Sequence, residues 1–310
     1  KTAFVEAALF NAGVINRMGK SNEGNTVSDF DSEEIRRGIS INTSLVAFEW
    51  KKNKINLVDT PGDFDFLGEQ MLGMGVTDAV LIVMSAKDGL SVGAEKAVRN
   101  AGNESMPISF FVNRMDEPNA DFLATVEALK EEYGHRVVPM SLPIMKGEEM
   151  TGLVDVLAMK AYTFSGKKGE MTASDMPADL EGLAEEYHEQ LVEQIAESDE
   201  ELMEKYFEGE AFSAAEEECG LRKAISQASL FPVFVGSANA NWGISHTLDQ
   251  MVRFFPTPED GHAVTAVNRS GESFQIKTDQ DGPLAAFVFK TIAYSKIGRA
   301  VQQECRDRSR

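Results

Sequence analysis

The 310-residue chain has only two cysteines, Cys219 and Cys305, and they lie far apart. That excludes a disulfide framework and the paired thiol spacing of a zinc site, and it fits a reducing compartment, so a cytoplasmic location is expected. Histidine is also scarce: His135, His188, His246 and His262 are scattered, which argues against a histidine metal centre. Trp50 and Trp242 have no basic groove around them and read as packing residues rather than base-stacking platforms. The 14 methionines read as core filler. No apolar run approaches the roughly 20 residues of a membrane helix, and no signal peptide is visible, so no membrane partner is expected. Basic charge is short as well, with 30 Lys and Arg against 50 Asp and Glu and a formal net charge of -20, which disfavours DNA as a partner.

What is present is ordinary for a soluble globular chain: 43% hydrophobic and 26% charged residues, enough for a sizeable core in one to two domains. The acidity is concentrated. Residues 170–218 hold 18 Asp or Glu against one lysine, Lys205, either as a solvated helical surface or as a docking face for a basic partner protein. Short apolar runs, "INTSLVAFEW", "KINLVD", "DAVLIVMS", "PISFFVN" and "FPVFVG", alternate with helix-like segments, the pattern of a parallel sheet covered by helices on both faces. One such helix is predicted over 121–133, with Phe122, Val126 and Leu129 on its buried stripe. The alternation breaks at about residue 151 and resumes near 230, which marks an insertion. Within it Leu180, Leu183, Tyr187, Leu191 and Ile195 recur at helical spacing. After "FFPTPE" the texture changes, and "GPLAAFVFKTIA" reads as a strand of a further domain.

The chemistry gathers at strand ends. "NLVDTPG" puts Asp59 at the end of a buried strand with Gly62 beside it, either a simple strand-ending turn or a corner for metal and phosphate. In the second case Asp59 would hold Mg²⁺ and the Gly62 N–H would meet a terminal phosphate. "FFVNRMD" ends another strand with Asn113 and Asp116, whose carboxylate can accept from the N1 and N2 donors of guanine. "FVGSAN" brings Ser237 and Ala238, whose backbone could meet guanine O6. "RRGISI" offers the Ser40 hydroxyl as a Mg²⁺ ligand on a loop ordered by a γ-phosphate. Lys1 and Thr2 match the last two residues of G-x-x-x-x-G-K-[ST], so the glycine-rich part of a P-loop is expected ahead of Lys1.

In this order the set resembles the guanine-nucleotide domain of translational GTPases, most closely elongation factor G. "DFDSEEIRRGISI" is similar to that family's first switch and "DTPGDFDFLGEQ" to its second. "GLVDVLAMKAY" and "IAESDEELMEKYFEGE" resemble its helical insertion, and "FFPTPED" with "GPLAAFVFKTIA" resembles the passage into its second domain. The resemblance implies an α/β P-loop GTPase domain with a mostly parallel sheet at 1–258, a helical insertion at about 151–229, the start of a β-barrel at 259–293 and an atypical tail at 294–310. It implies that Lys1 contacts the β- and γ-phosphates, that Thr2, Ser40 and Asp59 hold Mg²⁺, and that Asn113, Arg114, Asp116, Ser237 and Ala238 bind the base of GTP or GDP.

The sequence departs from the family at three positions. Ser40 replaces threonine, Arg114 replaces lysine, and Asp63 stands where a histidine orients the attacking water. The leading expectation is a monomeric GTPase that drives translocation or a related step on the ribosome, touching ribosomal RNA and, through its acidic insertion, a ribosomal protein. The competing expectations are a slowly hydrolysing GTP-dependent ribosome-binding paralogue, favoured by Asp63, and an inactive truncated product.

Overall fold

The computed structural model describes residues 1–166, 168–261, 264–279, 281, 282 and 284–292. The tail expected at 294–310, with Cys305, and also His262 lie outside the described residues. Helix α1 (Thr2–Asn11) is followed by a long loop and the short helix α2 (Ser32–Arg37). Strands β1 (Ser44–Trp50) and β2 (Asn53–Asp59) form an antiparallel hairpin of their own. They were expected to belong to the parallel sheet, but a two-residue turn at Lys51 and Lys52, both at positive φ, forces antiparallel pairing.

Next come α3 (Leu67–Met74), β3 (Val80–Ser85), α4 (Val92–Asn103), β4 (Ile108–Asn113), α5 (Phe122–Tyr133) and β5 (Val137–Pro139). As expected, Phe122, Val126 and Leu129 form the buried stripe of α5. The insertion follows, with β6 (Ser141–Lys146), β7 (Glu149–Asp155), β8 (Lys160–Ser165), β9 (Glu170–Ser174), α6 (Ala178–Glu197), α7 (Glu200–Glu208) and α8 (Ala214–Ser226). Strand β10 (Phe231–Val235) then enters between β4 and β5, giving a parallel sheet in the order β3-β4-β10-β5. Every residue of β4 and β10 is buried, because helices cover both faces, α1 on one of them through an edge-on contact of Phe4 with Phe111 at 5.0 Å. Helix α9 (Ile244–Phe254) closes this core, and the hairpin β11 (Val264–Val267) and β12 (Ser273–Ile276) follows it.

Two further expectations are corrected. The insertion is helical only from α6 onward, since β6 to β9 form a four-stranded antiparallel sheet that starts at Ser141. "GLVDVLAMKAY" is two strands and a turn. Gly152 crosses so close to β8 that a Cβ there would lie 2.1 Å from the Tyr162 carbonyl oxygen. Asp155 ends β7 by accepting the Ala158 N–H at 2.9 Å. The run "GPLAAFVFKTIA" is not a strand over 284–292, where Leu284, Phe287 and Val288 are exposed and pair with no strand among the described residues. The stripe on α6 matches its expectation, with Tyr187, Leu191 and Ile195 buried and Leu180 and Leu183 packed against the same core.

Candidate functional site

Two polar corners lie at the C-terminal ends of strands, one after β2 and one after β4 and β10, where open α/β sheets bind ligands. At the first corner Asp59 is 5% exposed, and its Oδ2 accepts from the Thr2 hydroxyl and the Ser28 hydroxyl, each at 2.9 Å. Ser40 Oγ lies 3.2 Å from Thr2 Oγ1. Both of these hydroxyls also interact electrostatically with Asp29. Burial pushes the Asp29 carboxyl above its ordinary value, the Ser40 hydrogen bond opposes this, and the charges of Asp59 and Glu34 add to it. Burial likewise pushes the Lys1 ammonium below its ordinary value, against the pull of Asp59 and Asp29. Lys1 Nζ sits close over the turn, and a Cβ on Gly62 would lie 2.9 Å from it.

The loop carrying Ser40 is held from within. Asp31 and Glu34 form a reciprocal capping box on α2, and Gly38 at φ 67° ends the helix. Buried Glu34 then uses its second oxygen to accept the N–H groups of Ile41 at 3.0 Å and Asn42 at 2.9 Å. This carboxylate sets where Ser40 can lie.

At the second corner the buried Asn113 accepts the Ala238 N–H at 2.8 Å through Oδ1, and Met115 N–H reaches the Gly236 carbonyl at 3.3 Å. The Ser237 hydroxyl donates to Asp116 Oδ1 and accepts the Ala240 N–H. Asp116 is exposed, so its carboxylate is oriented by Ser237 and open to solvent. Arg114 adopts φ 68°, with its half-exposed guanidinium 3.6 Å from Glu117. Gly236 permits the loop to close, since a Cβ there would lie 2.1 Å from the Trp242 carbonyl oxygen. Both backbone donors expected to meet guanine O6 are engaged: the Ala238 N–H is given to Asn113 at 2.8 Å, and the Ser237 N–H goes to the Trp242 carbonyl at 3.0 Å.

Lys1, Thr2, Ser40, Asp59 and Gly62 therefore converge at one corner, and Asn113, Asp116, Ser237 and Ala238 at the other. Asp63 is exposed at the edge of the first corner and caps a short 3-10 turn, Phe64–Phe66, by accepting the Asp65 N–H at 3.2 Å. Sequence reasoning missed Ser28, Asp29 and Glu34. Asp29 opens the motif "DFDSEEIRRGISI", and the available signal was its acidic residues placed ahead of the Ser40 hydroxyl. Among the described residues no three His, Cys, Asp or Glu side chains form a metal cluster. A cation at the first corner would be held by hydroxyls and carboxylates together, hard oxygen donors of the kind Mg²⁺ takes. Among the described residues no helix is long and apolar enough to cross a membrane.

Residues 1–257 match the family described as "Elongation factor Tu GTP binding domain". The chain is also similar to a crystal structure of a protein from Thermus thermophilus, with a TM-score of 0.80 and 29% sequence identity over 86% of this chain. The match takes in 40% of the Thermus chain, so the present chain spans less than half the length of that relative.

Proposed function

Because the chain belongs to the elongation factor Tu GTP-binding domain family, we propose that it binds GTP with Mg²⁺ across the two corners and hydrolyses it on the ribosome as an elongation factor G-type GTPase. The observation that carries this reading is the meeting of Thr2, Ser28, Asp29, Ser40 and Asp59 beside the Lys1 ammonium. Thr2, Ser40 and Asp59 would hold the metal, with Asp29 adding negative charge behind the two hydroxyls. When bound, Mg²⁺ supplies positive charge to the phosphate oxygens. Lys1 neutralises the β- and γ-phosphates, and the Gly62 N–H donates to the terminal phosphate. Asn113 shapes the base loop, Arg114 covers the base with its stem, and Asp116 accepts from guanine N1 and N2. The helices of the acidic insertion offer their charge to a basic ribosomal protein.

A second reading, slow hydrolysis by a ribosome-binding paralogue, is favoured by Asp63, whose carboxylate serves as a cap where the family has a water-orienting histidine. Both readings require guanine selectivity, and Asp116→Asn tests it. An amide cannot accept two guanine donors but can donate to the O2 of xanthine. The variant is expected to lose about 100-fold in GTP affinity, on the order of 3 kcal/mol, and to gain xanthosine triphosphate binding in competition assays. Adenine nucleotides competing equally with GTP for the unaltered chain would refute the assignment.

A further inference from the structure

Thr43 lies three residues beyond Ser40, and its backbone and hydroxyl groups are all engaged. Its N–H donates to Glu69 Oε2 at 2.7 Å and its hydroxyl donates to the Glu69 carbonyl at 2.7 Å. Its carbonyl accepts from Lys290 Nζ at 3.2 Å, and the same ammonium donates to Glu69 Oε2 at 2.5 Å. Glu69 lies on α3, which follows the turn that begins at Asp59, whereas Lys290 lies beyond the β11–β12 hairpin. The two side chains are 25% and 13% exposed, so the pair is shielded from competing water. Burial opposes ionisation of Glu69, but the bonds from Lys290 and Thr43 hold its carboxyl below the ordinary value. Three segments distant in sequence thus share one ion pair. In a chain with a net charge of -20 a lysine has many acidic partners within its composition, and this one meets the carboxylate that holds the end of the Ser40 loop.

The consequence follows from chain geometry. Glu34 holds Ile41 and Asn42, but it lies on α2 within the same loop and moves with it. Glu69 is an anchor from outside the loop, added to the Thr2–Ser40 contact and to the β1–β2 pairing that begins at Ser44. We propose that Glu69 and Lys290 form a clamp through which the chain beyond the nucleotide domain sets the position of the Ser40 loop, making Glu69 a positioning residue for the Ser40 hydroxyl. This deepens the proposed function and rests on the assignment of Ser40 to the metal corner. With the clamp closed, Ser40 is held beside Thr2. With Lys290 withdrawn, Glu69 loses its counter-charge and Thr43 loses its carbonyl partner, so the loop end is released and the metal corner loses one hydroxyl.

The test is amide hydrogen exchange over residues 41–43 of the intact chain, without nucleotide, in Glu69→Gln, Lys290→Gln and the double variant. Each single change is expected to speed exchange at Thr43 about tenfold, the loss of one charge-assisted hydrogen bond, and the double variant no further. Exchange within β4 stays as in the unaltered chain, and Lys290→Arg restores most of the protection. A second measurement, affinity for a non-hydrolysable GTP analogue, is expected to fall about tenfold in Lys290→Gln with Mg²⁺ present and to be unchanged in EDTA. Unaltered exchange at Thr43 in Lys290→Gln, additive effects in the double variant, or equal losses of analogue affinity with and without Mg²⁺ would each overturn the clamp. An unaltered chain that bound no guanine nucleotide would overturn the proposed function, and with it the role given to Ser40, even with the exchange pattern intact.

Discussion

Asp63 shows how one side chain can serve folding and oppose chemistry. Its carboxylate satisfies the Asp65 N–H at the start of the Phe64–Phe66 turn, a use for which aspartate is among the best residues and histidine a poor one. On the proposed reading it also stands next to the Gly62 N–H that faces the terminal phosphate. Two unit charges 4 Å apart at an effective dielectric near 20 repel by about 4 kcal/mol, and this exposed position with Mg²⁺ nearby offsets a large part of that. About 2 kcal/mol acting only in the transition state slows hydrolysis roughly 30-fold. Asp63→His in the intact protein is therefore expected to raise ribosome-stimulated turnover by about that factor while GTP affinity stays within about twofold. Single-turnover hydrolysis with ribosomes checks it. Rapid turnover by the Asp63 protein, no faster with histidine, would mean that another group orients the water.

At the scale of elements, the parallel sheet was legible because β3, β4 and β10 are continuous apolar runs of strand length, and α5 because its stripe repeats at 3.6 residues. The candidate site residues were legible at or just beyond strand ends, at Asp59, Asn113 and Ser237. What escaped was set by pairing and by tertiary approach. Nothing local in "GLVDVLAMKAY" distinguishes a strand, a turn and a strand from a helix, since the deciding fact is the close passage of Gly152 against β8. Glu34 and Glu69 lie inside the quoted switch-like motifs without a role assigned from sequence, yet Glu34 holds the Ile41 and Asn42 N–H groups and Glu69 the Thr43 N–H. Helix α3 offers a direct test of such approach. A Cβ on Gly73 would lie 2.6 Å from Thr60 Cγ2 and 3.1 Å from Val58 Cγ1, whereas one on Gly68 would meet nothing within 4 Å among the described residues. Gly68→Ala is expected to stabilise the chain by up to about 1 kcal/mol through helix propensity. Gly73→Ala should destabilise it by roughly 1 kcal/mol, because overpacking against β2 outweighs the same gain. Urea midpoints of the two variants moving in the same direction would contradict this account.

Across the whole molecule, the nucleotide core and the insertion meet over buried polar groups. Asp155, at the end of β7, accepts from Gln250 Nε2 at 3.1 Å and lies 3.8 Å from His246 Nδ1, both on α9. His246 is 3% exposed, and its Nε2 has no hydrogen-bond partner among the described residues. Burial holds its imidazole below the ordinary value of 6.5, and although Asp155 and Asp249 pull it up, Arg253 and Lys51 push it down again. The sign of the pH effect follows. Between 6.5 and the lowered folded value the unfolded chain binds a proton that the native chain does not, so stability rises with pH across that window. The stability due to neutral His246 is fully present above about 6.5 and is lost as pH falls below it, at no more than about 1.4 kcal/mol per pH unit for one proton. His246→Gln removes that proton from the balance. Urea denaturation at pH 7.5, 6.5 and 5.5 is therefore expected to show the unaltered chain losing stability more steeply than the variant, with the difference between them confined to the two lower pH values. Parallel slopes would mean that the junction between α9 and β7 accommodates a charged imidazole beside Asp155, and that acid loosens this molecule elsewhere.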